Sequence, residues 1–312
     1  MTKKEFYEKW EKGLTDYLRK IDESRIGGYT QKHKNGDPAP HGYIIDKKVG
    51  EKDIDLIKQY NILSNPEDFE SMVGKVHKGA RHLNSSQVLC YNFFRPLVIV
   101  DSNNSKSGKA GEKLIHFVKE NLGISISEKA ICYFEYEDEK TKNEFKAYGK
   151  TRPKGEESQF DFFIKERDTE IFFEIKYTEA TFGGWSPRQK NADQIENHCA
   201  YVEKGYKPML GKSLYFTQAC KNAMQDTEEK DFADASHFFN KQYQLFRNAL
   251  RADSSKFSVI IYPEANPGPE LEFNRFKTNL IDGQNHIIAL KWENLTKYMS
   301  EEFINKYIKI LE

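Results

Sequence analysis

Apolar residues in this chain are spaced as in helices over its first third and as in strands near its middle. Phe6, Trp10, Leu14, Tyr17, Leu18 and Ile21 recur every three or four positions. That spacing predicts an amphipathic helix over 3–22, ended by Gly27-Gly28. The stretch 25–50 is rich in Gly, Pro, Lys and His and is expected to be irregular. Short helices are expected over 51–62 and 66–76, and another from Arg81 to Arg95, where Pro96 stops it. Residues 107–122 read as a helix whose apolar side is Leu114, Ile115, Phe117 and Val118. The pattern then changes. Residues 129–137 read as a strand, with 143–149 as a possible hairpin partner. Residues 159–165 and 170–177 read as two strands joined by a Glu-Arg-Asp-Thr turn. Helices are expected over 187–204, 213–226 and 234–251, strands over 256–262 and 285–291, and two short helices at the end.

From residue 107 the order is helix, three strands, helix, strand. This predicts an α/β fold with a mixed central sheet flanked by helices. Residues 1–106 are expected to form a mainly helical extension packed on a core of 107–312, with a helical insert at about 182–233.

Composition narrows the function classes. The 312 residues carry no net charge, so any nucleic-acid surface has to come from local clustering. Cys90, Cys132, Cys199 and Cys220 form no CxxC pair, which fits reduced thiols in a cytoplasmic protein. The first residues lack the apolar run of a secretory signal, and no stretch approaches the ~20 apolar residues of a membrane span. Ser107-Gly108-Lys109-Ala110 fails as a phosphate loop, because Asn103 stands where the earlier glycine belongs and Ala110 replaces Ser/Thr.

The chemistry concentrates at Asp161 and at Glu174-Ile175-Lys176. Side chains alternate along a strand, so Glu174 and Lys176 share one sheet face while Ile171, Phe173, Ile175 and Tyr177 take the other. Asp161, on the preceding strand, can reach the same place. Phe160, Phe162, Phe163, Phe172 and Phe173 surround these charges, and charge is costly to bury unless paired or metal-bound. Two carboxylates with the carbonyl of Ile175 make a hard-oxygen set that suits Mg²⁺, with Mn²⁺ as a substitute. Metal-assisted phosphodiester hydrolysis follows, with Lys176 orienting water and offsetting charge on the phosphate.

This arrangement resembles the PD-(D/E)XK nuclease superfamily over about residues 107–262, with Phe160-Asp161 in place of the usual Pro-Asp. The resemblance implies a restriction-endonuclease-like core, metal ligation by Asp161 and Glu174, and Lys176 beside the attacking water. Many members add an acid from the first core helix, the position of Glu112 here. The chain is also similar to a bacterial group of restriction-endonuclease-like proteins. The segments that carry this are Leu83-Asn84-Ser85-Ser86-Gln87, Tyr91–Leu97, the Phe160-Asp161 strand and Glu174–Glu179. It implies a DNA endonuclease of the bacterial cytoplasm acting as a homodimer. A repair, recombination or RNA-directed nuclease, or a non-catalytic nucleic-acid-binding module, remains open on the same fold.

Candidate nucleic-acid contacts are Lys109, Gln244, Arg247, Arg81 and Gln87, and the basic run containing Lys150, Arg152 and Lys154. His77 and His82 are spaced poorly for shared metal binding and join Lys75, Lys78 and Arg81 in a basic patch. Trp185 could stack on a base or pack internally.

Overall fold

The computed structural model describes residues 1–29, 40–101, 104–138, 159–187, 190–283 and 285–312. The first helix, α1 (Lys3–Asp22), opens with a capping box in which Thr2 and Glu5 satisfy each other's backbone N–H groups. Its buried side is Phe6, Trp10, Leu14 and Leu18, as the spacing predicts. A two-stranded ribbon, β1 (Gly28–Tyr29) and β2 (Pro40–His41), follows. Then come α2 (Asp53–Tyr60), α3 (Phe69–Val73) and α4 (Ser86–Phe94). Helix α4 is capped by the Ser85 hydroxyl and has eight of its nine residues buried, so it is a core helix without a polar face.

Among the described residues, seven strands form one sheet in the order of the sequence: β3 (Val98–Asp101), β4 (Asn104–Ala110), β5 (Ile131–Glu137), β6 (Gln159–Glu166), β7 (Thr169–Ile175), β8 (Lys256–Tyr262) and β9 (Ile287–Lys291). Pairing is antiparallel from β3 to β7 and parallel from β7 to β9. The fold is therefore α/β with a mixed sheet, as the element order predicted. The turn between β6 and β7 is Arg167-Asp168, with Arg167 in the left-handed region at φ 53°. It pairs Glu166 with Thr169 and Phe162 with Phe173.

Parallel pairing requires long crossovers. Residues 176–255 supply the first, and its helices join one core while α5 (Glu112–Leu122) joins the other. The crossover holds α6 (Ala192–Tyr201), α7 (Lys207–Lys212), α8 (Gln218–Gln225), α9 (Phe238–Lys241) and α10 (Tyr243–Ala249). Helix α11 (Pro267–Lys277) lies between β8 and β9.

Two main cores follow from strand alternation, with Phe160, Phe163 and Phe172 in a smaller third cluster. Phe162, Phe173, Ile175, Tyr177, Val259 and Ile261 join Phe94 and Phe117 in the larger one, together with α1. Ile260 and Tyr262 join Tyr243, Phe246 and Phe276 in the second, on the opposite face. Phe94 and Phe162 stack with ring centres 4.0 Å apart.

Four differences from the periodicity are physical. Residues 107–110 end strand β4, and the helix starts only at Glu112, so the expected boundary at 106/107 falls inside a strand. Gly108 explains this: a Cβ there would meet Val98 at 2.2 Å, so the backbone lies hard against β3. Strand β3 went unrecognised because Pro96 masked it as a helix end. Helix α11 was missed because Pro267 and Pro269 read as loop, whereas Pro is compatible with a helix's first turn. Arg81 lies ahead of α4, in a turn segment. The expected strand 143–149 lies outside the described residues. All four cysteines are free and buried. No described helix is long and apolar enough to cross a membrane.

Candidate active site

Strand β7 is the seam where antiparallel pairing gives way to parallel pairing, and its end carries the charged residues. Ile171, Phe173, Ile175 and Tyr177 face the larger core, which turns Glu174 and Lys176 toward α10. Both are 8% exposed, so neither charge is left to water. The Lys176 Nζ lies 2.9 Å from Glu174 Oε1 and donates to Gln244 Oε1 at 3.2 Å. The other Glu174 oxygen accepts from Asn248 Nδ2 at 2.9 Å. Gln244 and Asn248 are one helical turn apart, so α10 presents both to β7. Close approach is secured by Gly183 at φ 94°, whose missing Cβ would lie 2.9 Å from the Gln244 side chain.

Asp161 arrives from β6. The regular pairing of β6 with β7 runs only from Phe162 opposite Phe173. Beyond it, the Asp161 Oδ2 accepts from the Ile175 N–H at 2.6 Å in place of a backbone carbonyl. The next N–H, of Lys176, turns the other way and donates to Ile261 O on β8. In a strand the N–H and C=O of one residue point to the same side, so the Ile175 carbonyl also faces Asp161. Asp161, Glu174 and the Ile175 carbonyl thus converge, with Lys176 beside them.

The electrostatics are those of crowded acids. Burial, then the charges of Glu174 and Glu135, push the Asp161 carboxyl well above the usual carboxylate range, against Lys176 and the Ile175 N–H. Burial disfavours the Lys176 ammonium, but Glu174, Glu179 and Asp161 outweigh it and hold the amine protonated more firmly than usual.

Sequence reasoning missed several neighbours. Glu135, on β5, has a left-handed backbone at φ 50°, a strained choice for a non-glycine residue. Its carboxylate accepts from Gln159 Nε2 at 2.7 Å and lies 3.1 Å from His77 Nε2. The hydrogen bond to Glu135 raises the His77 pKa against the effect of burial. The Cys90 thiol donates to the Asp161 carbonyl at 3.4 Å. Asn84 donates to Thr178 Oγ1 at 2.7 Å, two residues past Lys176. Asn248 was findable, since it lies four residues after Gln244. Glu135 was not, because its place opposite Asp161 depends on strand register.

Other expected contacts sit elsewhere. Glu112 occupies the exposed first turn of α5, in a cleft with His116, Glu120 and Lys297. Its helix buries Leu114, Phe117, Val118 and Leu122, and that orientation turns Glu112 away from the core and from the Asp161 group. Gln87 is 1% exposed and spent on backbone, accepting from His77 N and donating to Lys75 O. Arg81 donates to Ile45 O and pairs with Asp53. Arg247 is buried with its guanidinium over the Tyr243 ring, which covers it from a phosphate. Lys109 is exposed on β4 opposite Ile131, which pairs with Lys165 at the far end of β6 from Asp161. Trp185 stacks on His198 with centres 3.7 Å apart, so it packs internally. Lys150, Arg152 and Lys154 lie outside the described residues.

The donor set can be tested against a divalent ion. Among the described residues no group of three or more His, Cys, Asp or Glu side chains is arranged to hold a metal. Asp161, Glu174 and the Ile175 carbonyl offer hard oxygens only, the donor type of a cation such as Mg²⁺ that keeps several of its waters. Burial first, and then the neighbouring Glu174 and Glu135, raise the Asp161 pKa, and a bound cation would offset both effects. The residues present fit the ion.

The family described as Restriction Endonuclease associating with ARP matches residues 40–308, which contain every residue of this site. No curated protein and no solved structure matches the chain.

Proposed function

The chain belongs to that restriction endonuclease family, and from this premise we propose that it is a divalent-metal-dependent endonuclease hydrolysing phosphodiester bonds of DNA at the Asp161, Glu174 and Lys176 centre. One observation supports the reading above the others. A carboxylate on β6 docks on the backbone of β7 within the same few residues that deliver a buried Glu174–Lys176 pair. Family membership supports the nuclease class, and this geometry supports the choice of residues.

Asp161, Glu174 and the Ile175 carbonyl would hold Mg²⁺, or Mn²⁺ in its place. When bound, the ion supplies Lewis acidity toward a phosphate oxygen and toward water. Lys176 stays cationic at neutral pH, so it serves as a donor and a counter-charge and does not accept the proton of the attacking water. Gln244 and Asn248 are positioning residues: the first aims the amine, the second fixes the free oxygen of Glu174. A double-strand cut needs two centres, so two copies of the chain acting together are part of the proposal.

Incubating the purified protein with plasmid, linear and single-stranded DNA tests this directly. Cleavage should require Mg²⁺ or Mn²⁺ and be lost in Glu174→Ala and Lys176→Ala. Metal-independent cutting, or a Lys176→Ala protein cutting at the wild-type rate, would refute the reading.

A further inference from the structure

A cavity of about 640 Å³ opens beside the candidate centre without including its three charged residues. Its volume falls within the roughly 300–1,000 Å³ typical of small-molecule sites. The walls are mostly apolar, with Phe238 and Leu271 among them. Leu271 is 54% exposed and offers its apolar side chain to the space. Lys3, Lys241 and Arg275 also line the space, three cations against the single carboxylate of Glu272. Asp234 acts electrostatically on Lys241 and Glu272 on Arg275, but among the described residues neither cation comes within 4.0 Å of a carboxylate oxygen in an ion pair.

Three links tie this cavity to the centre. Glu272 and Lys176 are close enough to interact electrostatically. Gln242 lines the cavity two residues before Gln244, which holds the Lys176 amine. Ala180 and Thr181 line it just beyond Glu179, whose charge acts on Lys176. Glu272 is itself fixed: Oε2 accepts from Phe182 N at 2.5 Å, and its backbone oxygen accepts from Gln242 Nε2 at 2.9 Å. The shape is therefore held by hydrogen bonds from both flanking segments.

We propose that this cavity is a nucleotide-binding site: it takes one nucleoside monophosphate unit, the base against Phe238 and Leu271 and the phosphate on Lys241 and Arg275. Apolar walls accept the face of any base, and exposed cations at the rim match a phosphate. The choice of a nucleotide rests on the proposed nuclease reading, since the cavity adjoins the residues assigned to phosphodiester cleavage. The unit is one nucleotide of the substrate strand, held outside the stack beside the scissile bond.

Binding without cleavage tests it. Fluorescently labelled single-stranded and duplex oligonucleotides are titrated in EDTA and followed by anisotropy, with free dAMP as a separate arm. Lys241→Glu/Arg275→Glu and Leu271→Trp are compared with wild type, after thermal unfolding has checked that each variant folds. Lys241, Leu271 and Arg275 are all exposed, so the fold should survive. The double variant should bind oligonucleotide at least tenfold more weakly, and Leu271→Trp, which fills the cavity, should weaken binding too. Loss of dAMP binding in both variants with oligonucleotide binding intact would overturn the assignment to the substrate strand, since the cavity would then take free nucleotide only. Wild-type affinity in both variants, or no binding of either ligand to wild type, would overturn the proposal. Normal oligonucleotide binding without any metal-dependent cleavage would sink the nuclease reading and leave this site standing.

Discussion

At the scale of single residues, the candidate centre depends on side chains that face one another at fixed distances. Lys176→Ala should lower the cleavage rate by roughly 10²–10³-fold, the usual cost of removing one preorganised charge-stabilising donor. Single-turnover rates at saturating DNA would measure it. Asn248→Ala removes the donor 2.9 Å from Glu174 Oε2 and should cost about tenfold in rate with little change in DNA affinity. Equal losses in rate and affinity would count against that positioning role. The His77–Glu135 pair gives a pH signature. The folded His77 pKa is raised, first by its hydrogen bond to Glu135, so the pair's stabilising contribution is complete below the unfolded value of about 6.5. It fades as pH rises through the higher folded value. The urea midpoint of wild type should therefore fall relative to His77→Gln across that window. Parallel curves would show that the pair does not contribute. His77 is partly exposed, so the effect will be modest.

At the scale of elements, β6 and α4 are locked by the stacked Phe94 and Phe162 rings. Phe162→Ala should cost about 3–5 kcal/mol, because the rings around the resulting space cannot close it. Equilibrium urea unfolding would give the number. The elements that build the site were legible because their patterns are simple: β6, β7 and β8 are short runs rich in Phe, Ile and Val, and α1 has a clean three-to-four spacing. Strand β4 was not legible. Its Asn-Ser-Lys-Ser-Gly-Lys-Ala sequence has no β propensity, and it is a strand because β3 and β5 flank it. The same limit applies to the site. Asp161, Glu174 and Lys176 are found by alternation along two strands, and Gln244 lies on a helix legible from its apolar spacing. Glu135 and Glu272 come near the centre only through sheet register and helix packing, which no local pattern records. Gln87 and Arg247 read as contact residues because polar side chains suggest surface, but both are used up inside the protein.

At the scale of the whole molecule, the two ends of the chain meet around a buried amine. Lys306 donates to Asn61 O and Oδ1 at 2.9 and 2.7 Å and lies over the Tyr17 and Tyr307 rings. Asn92 donates to both Asn61 O and Tyr307 Oη, and the Tyr307 carbonyl accepts from Tyr177, next to Lys176. Burial lowers the Lys306 pKa to about 7, against the pull of Glu302. Below that value the amine is charged in both the folded and unfolded states. Between about 7 and the unfolded ~10.4 the unfolded chain binds the extra proton, so stability should rise with pH. Wild type should therefore gain on Lys306→Met between pH 6.5 and pH 9 in urea unfolding; a constant difference would contradict this. The Arg167-Asp168 connection has a different kind of reach. Because it is only two residues long, it works as a ruler, counting off which residue of β6 stands beside Glu174. Its length matters more than its letters, although Arg167 at φ 53° favours Gly, Asn or Asp there over a β-branched residue: sliding β6 by a single step would turn Asp161 to the opposite side of the sheet and take Phe162 and Ile164 out of the core with it, so the register that holds the core together is also the register that brings the acids together.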